Sequence, residues 1–396
     1  MTPATLALLL AAGATSLLLS LCLVPLALRA ARRTGFVDHP GGHKSHARAT
    51  PYGGGSAMFL AAWLPTLGLL GLIRAAPPEW LAGLGGAELE ASIGGVRDQV
   101  GRGLLILAGG VILHLLGLLD DFRTLRAWPK LIVMVAVGLL VSTLGGVRVA
   151  TFLGPGVSIP LTTAWIVVIT NAFNFLDNMD GLSAGVGCIC TAFLALCGLL
   201  AGQVVVPGLA CIFLGAMLGF LVYNFPPARI FMGDAGSLLI GYMLAVLSVL
   251  TSYWQSGAEQ PPFALAMPLV VLAVPLYDFT SVVVIRLREG RSPMSGDQRH
   301  FSHRLVERGL SRRAAVLTIY LATAATGLAA TLLPGAGLRQ TITIVALVAM
   351  VLLTIALLEA PPVRTRRAGE HSRQHQGGPA DQPARPVPAP PGEPPR

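Results

Sequence analysis

Asn171, Asn174, Asp177 and Asp180 recur at every third position of one segment, two amides and then two carboxylates, and the run ends on Gly181. On a helix, neighbours at that spacing lie about 60° apart, so the four form a polar stripe that drifts around one face as the chain leaves its helix. They offer hard oxygen donors of the kind Mg2+ accepts, which commonly takes one or two carboxylates and completes its shell with substrate phosphate. Amides that merely bond between helices would explain Asn171, but not the whole run.

Four further polar clusters punctuate the chain. Asp120 and Asp121 end an apolar run, where two adjacent anions face the negative end of a helix dipole and are unfavourable without a cation. They read either as solvated acids stopping a helix or as a pair that handles a divalent ion or positions a phosphate nucleophile. Lys130 could return to the same surface, or serve only as an interface anchor. Asp234 stands between Gly233 and Gly236-Ser237 at an expected helix N-terminus, where free backbone N–H groups make an anion site. It is an N-cap or a metal ligand.

The stretch Asp297 to Arg304 holds Arg299, His300, His303 and Arg304, donors suited to phosphate oxygens. His300 and His303 at i and i+3 resemble half of a zinc site, but no third soft ligand is near. Lys44, ahead of Thr50-Pro51-Tyr52-Gly53-Gly54-Gly55, reads equally as a contact for a lipid phosphate or as a lysine among headgroups. Asp278 is a further acid inside an apolar run, placed to pair with a neighbouring helix.

The elements that must position these residues are oily. Of 396 residues, 54% are hydrophobic and 12% charged, and the mean hydropathy is +0.69. The apolar stretches are continuous for about 20 residues, the length that crosses a hydrocarbon core as a helix, and lack the alternation of barrel strands. The expected fold is therefore an all-α polytopic membrane protein of about eleven transmembrane helices. Their approximate spans are 6–28, 54–73, 103–119, 129–146, 161–176, 183–201, 206–223, 237–254, 264–286, 314–333 and 340–358. Residues 1–358 form the membrane domain. Residues 359–396, rich in Pro, Gly, Gln and Arg, cannot bury a core and read as a disordered cytoplasmic tail.

Charge orients the spans. The net charge is +9, but 23 of the 28 Lys and Arg fall in the segments of one side and 5 in those of the other. The positive-inside rule puts the richer side in the cytoplasm, with the N-terminus outside and the C-terminus inside, and all five polar clusters then share the cytoplasmic face. Nucleic acid is not the expected partner of charge dispersed in this way. The five cysteines lie inside apolar runs with no CxxC pair, and read as small hydrophobic residues.

Taken in order, Asp120-Asp121, NAFNFLDNMDGL at 171, FMGDAGS at 231 and DQRHFSHRL at 297 resemble the polyprenyl-phosphate N-acetylhexosamine-1-phosphate transferase superfamily, glycosyltransferase family 4, most closely its WecA/TagO-type branch. The resemblance spans residues from about 5 to 358. It implies a bacterial inner-membrane enzyme that moves a sugar-1-phosphate, by default GlcNAc-1-phosphate, from a UDP-sugar to undecaprenyl phosphate. UMP is released, with Mg2+ required and Mn2+ as a substitute. This would be the first membrane step of a cell-surface polysaccharide.

Further implications are residue by residue. Asp234 binds Mg2+ with Asn174 as second ligand, Asp120 and Asp121 are the catalytic acidic pair, and Asp177 and Asp180 form the second acidic motif. Lys44 and Lys130 match recurring basic positions; Asn171, Arg299 and Arg304 are expected substrate contacts from their residue types alone. His300 and His303 match the outer positions of an H-x-H-H motif. Ser302 stands where the middle histidine is expected, and Asn178 where Gly is common. Partners are then the UDP-sugar, the lipid phosphate and the membrane, with a homodimer left open. The phospho-MurNAc-pentapeptide transferase sibling and an ion-coupled transporter are the rival readings. Because a phosphate ester is largely ionised at pH 7, direct attack needs no strong base, and a phospho-aspartyl route stays open.

Overall fold

The computed structural model describes residues 2–38, 49–75, 77, 94–95, 97, 99–253, 266–292 and 299–359. The chain divides into two units, Met1–Glu359 and Ala360–Arg396, and the second lies outside the described residues, as does most of the loop before residue 99. Glu359, assigned from sequence to the tail, is instead the last residue of a helix and is buried.

The described residues are helical nearly throughout. In order come α1 (Pro3–Thr34), a two-residue ladder of β1 (Val37–Asp38) and β2 (Thr50–Pro51), α2 (Gly54–Ala75), α3 (Val100–Phe122), α4 (Ala127–Thr143), α5 (Pro155–Leu176), α6 (Leu182–Leu200) and α7 (Val205–Asn224). Then follow α8 (Gly233–Tyr253), α9 (Ala266–Val271), α10 (Ala273–Arg288), α11 (Phe301–Glu307), α12 (Arg312–Ala330) and α13 (Leu338–Glu359). Among the described residues nine helices are long and apolar enough to cross a membrane, and α4 is an apolar helix of 17 residues. The run expected as one span over 264–286 is instead broken between α9 and α10 at Leu272.

Proline explains that break and two milder perturbations. A helical proline has no N–H for the carbonyl four residues earlier, and in lipid that carbonyl needs another donor. Pro275 frees Val271 O, which accepts from Cys190 Sγ of α6 at 3.4 Å. Pro25 of α1 frees Leu21 O, which accepts from Tyr223 Oη of α7 at 3.1 Å. Pro65 of α2 frees Ala61 O, which accepts from Ser16 Oγ of α1 at 2.8 Å. Each proline thus turns a lost intrahelical bond into an interhelical one.

Small residues supply the close packing. α1 lies along α7, where Gly215 and Gly219 form a small-x-x-x-small face. A Cβ on Gly215 would sit 2.1 Å from Gly13 O, and one on Gly219 would sit 2.6 Å from Ser20 Cβ. At the centre runs α8, with 89% of its apolar window buried against 17% for α13. The first turn of α8, which carries Asp234, is accordingly enclosed by other helices.

Candidate active site

The end of α3, the start of α4 and the start of α8 meet at one end of the bundle. Lys130 of α4 places Nζ 3.0 Å from Asp120 Oδ2 and 3.0 Å from Asp234 Oδ2. The Leu125 N–H donates to Asp120 Oδ1 at 2.7 Å. Asp121 lies against the first turn of α8 and accepts the N–H of Asp234 at 2.8 Å and of Ala235 at 3.2 Å. The two acids that looked unfavourable at the negative end of α3 are therefore met by an ammonium and by the positive end of another helix. The capping role open to Asp234 is filled by Asp121, which leaves the Asp234 carboxylate facing Lys130.

Two glycines permit this contact. Gly233 has φ +66°, and a Cβ there would lie 2.2 Å from Asp121 Oδ2. A Cβ on Gly117 would lie 2.4 Å from Ala235 N. The side chains of Asp120, Lys130 and Asp234 keep 12%, 20% and 25% exposure, so a ligand from solvent can reach all three.

The 171–181 run ends α5 and crosses to α6 beside this wall. Asn174 Nδ2 donates to Ser237 Oγ of α8 at 3.0 Å. Asp177 follows the last helical residue. Its carboxyl is held well above the usual carboxylate range by burial first, then by the charges of Asp234, Asp121 and Asp180. Asp180 Oδ2 accepts the Ala228 N–H at 2.9 Å, and the Gly181 N–H donates to Asn224 Oδ1 at 3.0 Å. Tyr320 of α12 donates to Gly181 O. Asn171 turns away: its Nδ2 donates to Val167 O at 2.8 Å and approaches Met134 Sδ of α4 at 3.2 Å. The described contacts of Asn171 are thus those of an interhelical amide.

The basic segment is a braced structure. Asp278, fully buried in α10, accepts from Phe301 N at 2.6 Å and from His300 Nδ1 at 3.1 Å, so it caps α11 and orients the imidazole. The His300 ring meets Phe175 edge-on at 5.9 Å, and the buried Arg286 guanidinium lies 4.9 Å over the same Phe175 ring. Ser302 donates to Asn178, so the two departures from the family pattern are hydrogen-bonded to each other. His303 is held below the ordinary histidine value by burial, then by His300 and Arg312.

Arg299 and Arg304, expected as substrate contacts, also have acidic partners of their own. Arg304 Nε donates to Glu359 Oε2 at 2.7 Å and its Nη2 to Ser281 Oγ at 2.9 Å, while Arg299 pairs with Glu289 at 3.0 Å. Both guanidinium groups are directed to local acids. Lys44 and Asp297 lie outside the described residues.

Sequence reading passed over two neighbours of the wall. Tyr52 follows β2, and its hydroxyl is pushed up by burial first, then by Asp38, Asp121 and Asp177. His114 is buried in α3 with Nδ1 3.1 Å from Ala235 O and Nε2 3.4 Å from Ser56 Oγ. The signal for His114 was its helical spacing: with Gly117 and Asp121 it occupies i, i+3 and i+7 of one face.

Comparison with known proteins places the chain in a family. The glycosyl transferase family 4 profile matches residues 104–252, which hold both acidic motifs and Asp234. A Bacillus subtilis probable undecaprenyl-phosphate N-acetylglucosaminyl 1-phosphate transferase is 33% identical over 77% of this chain and 79% of its own. The chain belongs to glycosyl transferase family 4, in the WecA/TagO-type branch of the polyprenyl-phosphate N-acetylhexosamine-1-phosphate transferases. Other members of this family are also similar. The decaprenyl-phosphate N-acetylglucosaminephosphotransferase of Mycobacterium tuberculosis is 39% identical over 74% of each chain. The undecaprenyl-phosphate alpha-N-acetylglucosaminyl 1-phosphate transferase of Escherichia coli K12 is 26% identical over 75% of this chain and 76% of its own.

Proposed function

We propose that this protein transfers N-acetylglucosamine-1-phosphate from UDP-N-acetylglucosamine to a polyprenyl phosphate, releasing UMP, at the cytoplasmic face of a bacterial inner membrane. The relatives' names supply the sugar and the lipid, and none of those cited names the MurNAc-pentapeptide substrate or a transported ion. The apolar runs support eleven spans, with α9 and α10 counted as one, and the charge asymmetry supports an outside N-terminus.

One observation carries the reading: a single ammonium, Lys130 Nζ, is held between Asp120 and Asp234 at 3.0 Å from each. A cation is what the wall is shaped to hold. Among the described residues no three Asp, Glu, His or Cys side chains converge into a ready metal centre. Mg2+ does not need one, since one or two carboxylates with substrate phosphate oxygens complete its shell. Asp234 and Asp120 would hold it, with Asn174 beside them, and when bound it would neutralise the pyrophosphate.

The chain's own residues do the rest. Lys130 can pass from the carboxylates to a phosphate oxygen and share the charge that develops there. Each oxygen of Asp121 accepts one backbone N–H at the start of α8, which supports a part in holding the Asp234 turn. The lipid phosphate, ionised at neutral pH, attacks the β-phosphorus directly and the bond to UMP breaks. Asp177, protonated more readily than an ordinary carboxyl, softens the crowd of negative charge. His300, fixed by Asp278, is buried edge-on against Phe175 next to Asn174 at the end of α5.

The test is purified protein with Mg2+, undecaprenyl phosphate and a panel of UDP-sugars, with UMP measured. Release with UDP-N-acetylglucosamine is expected. No UMP from any sugar would contradict the proposal.

A further inference from the structure

His114 belongs to none of the motifs above, yet it is 5% exposed inside a span and engaged on every side. Its ring lies flat on Phe59 of α2, centroids 4.3 Å apart and planes parallel. A carbonyl can only accept, so the proton sits on Nδ1 and is donated to Ala235 O. The Ser56 hydroxyl has no other partner among the described residues and donates to Nε2. One tautomer satisfies both neighbours.

The contact lands where the acid wall is built. α3 runs toward the site and α8 runs away from it, so the N–H of Ala235 points to the end of α3 and its C=O points back along α3. Asp121 takes the N–H at 3.2 Å and His114 takes the C=O at 3.1 Å. Two side chains seven residues apart on α3 therefore grip one residue of α8 at both its polar groups. Gly117, midway between them, lets the backbones close. Ala235 follows Asp234 directly, so this grip sets the rotation of the first turn and with it the direction of the Asp234 carboxylate.

We propose that His114 is a positioning residue for Asp234, acting through the Ala235 carbonyl, with Ser56 and Phe59 holding its ring. This rests on reading the acid wall as the cation and phosphate site, and the experiment separates the two claims. Three forms of the full-length protein are compared in detergent: wild type, His114→Ala, which removes the donor, and His114→Asn, whose amide can replace the Nδ1–H.

Without metal, amide hydrogen exchange over residues 234–238 is expected to speed up about tenfold in His114→Ala and to stay near wild type in His114→Asn. Direct Mn2+ binding should weaken by roughly tenfold in His114→Ala, the scale of a lost supporting contact to a ligand, and recover in His114→Asn. Two results would overturn the proposal. One is wild-type exchange and Mn2+ affinity in His114→Ala even with a lowered melting temperature, which would make the residue mere packing. The other is equal loss in both variants, which would make ring volume the cause. A wild-type protein that binds no Mn2+ would overturn the wall as a cation site, and the exchange result would still decide the grip.

Discussion

The acid wall and the α10–α11 brace are both built from carboxylates and cations, but they balance charge in opposite ways. At the wall, Asp120 and Asp234 share Lys130 while Asp121, Asp177 and Asp180 add further acids beside them, and backbone N–H groups of Leu125, Ala228, Asp234 and Ala235 supply much of the compensation. In the brace three basic side chains each meet their own acid: His300 meets Asp278, Arg304 meets Glu359 and Arg299 meets Glu289. A region satisfied by its own ion pairs is a scaffold. One that crowds acids beside a single ammonium is suited to a cation and a polyphosphate.

Substitutions should divide along that line. Asp234→Asn keeps the shape and removes the charge, so transfer should fall by at least about 100-fold while the melting temperature stays close to wild type, as UMP release and a thermal scan would show. An unfolded variant would instead make Asp234 structural. Asp278→Ala should do the reverse. It leaves the Phe301 and His300 N–H groups buried without an acceptor, at about 1–3 kcal/mol each, so stability drops while the folded fraction loses less than about tenfold in rate.

A smaller effect is expected from pH. The folded state disfavours charged His303, so as pH falls below the ordinary histidine value near 6.5 the unfolded chain takes up this proton before the folded one. Stability should then fall, and His303→Asn should flatten that limb of a melting-temperature profile. The smallest change is Ser302→Ala, which removes one hydrogen bond to Asn178, worth about 1 kcal/mol. Activity should shift by no more than a few fold. A loss near that of Asp234→Asn would move Ser302 from the brace to the wall.

Much of this was legible in the residues. Continuous apolar runs placed the helices, because in lipid the backbone must satisfy itself and length alone sets a span. The carboxylates at span ends pointed to one site, since unpaired acids there are too unfavourable to persist by accident. What sequence could not resolve was partnership. Nothing in Asp121 says that it caps a helix 113 positions away, or that Arg304 turns to Glu359 rather than toward the wall. Asn171 shares the spacing of Asn174, yet only Asn174 reaches α8, because a three-residue step drifts around the helix. Pro275 marks the break at Leu272, but the sequence does not say that the carbonyl it frees meets Cys190 of another helix.

The central claim is that the wall, and not the brace, takes the divalent cation. Titrating Mn2+ by electron paramagnetic resonance into wild type, Asp234→Asn and Glu359→Gln tests it most directly. The account predicts one bound ion in wild type and Glu359→Gln and loss of that ion in Asp234→Asn. Unchanged binding in Asp234→Asn, or loss confined to Glu359→Gln, would contradict it.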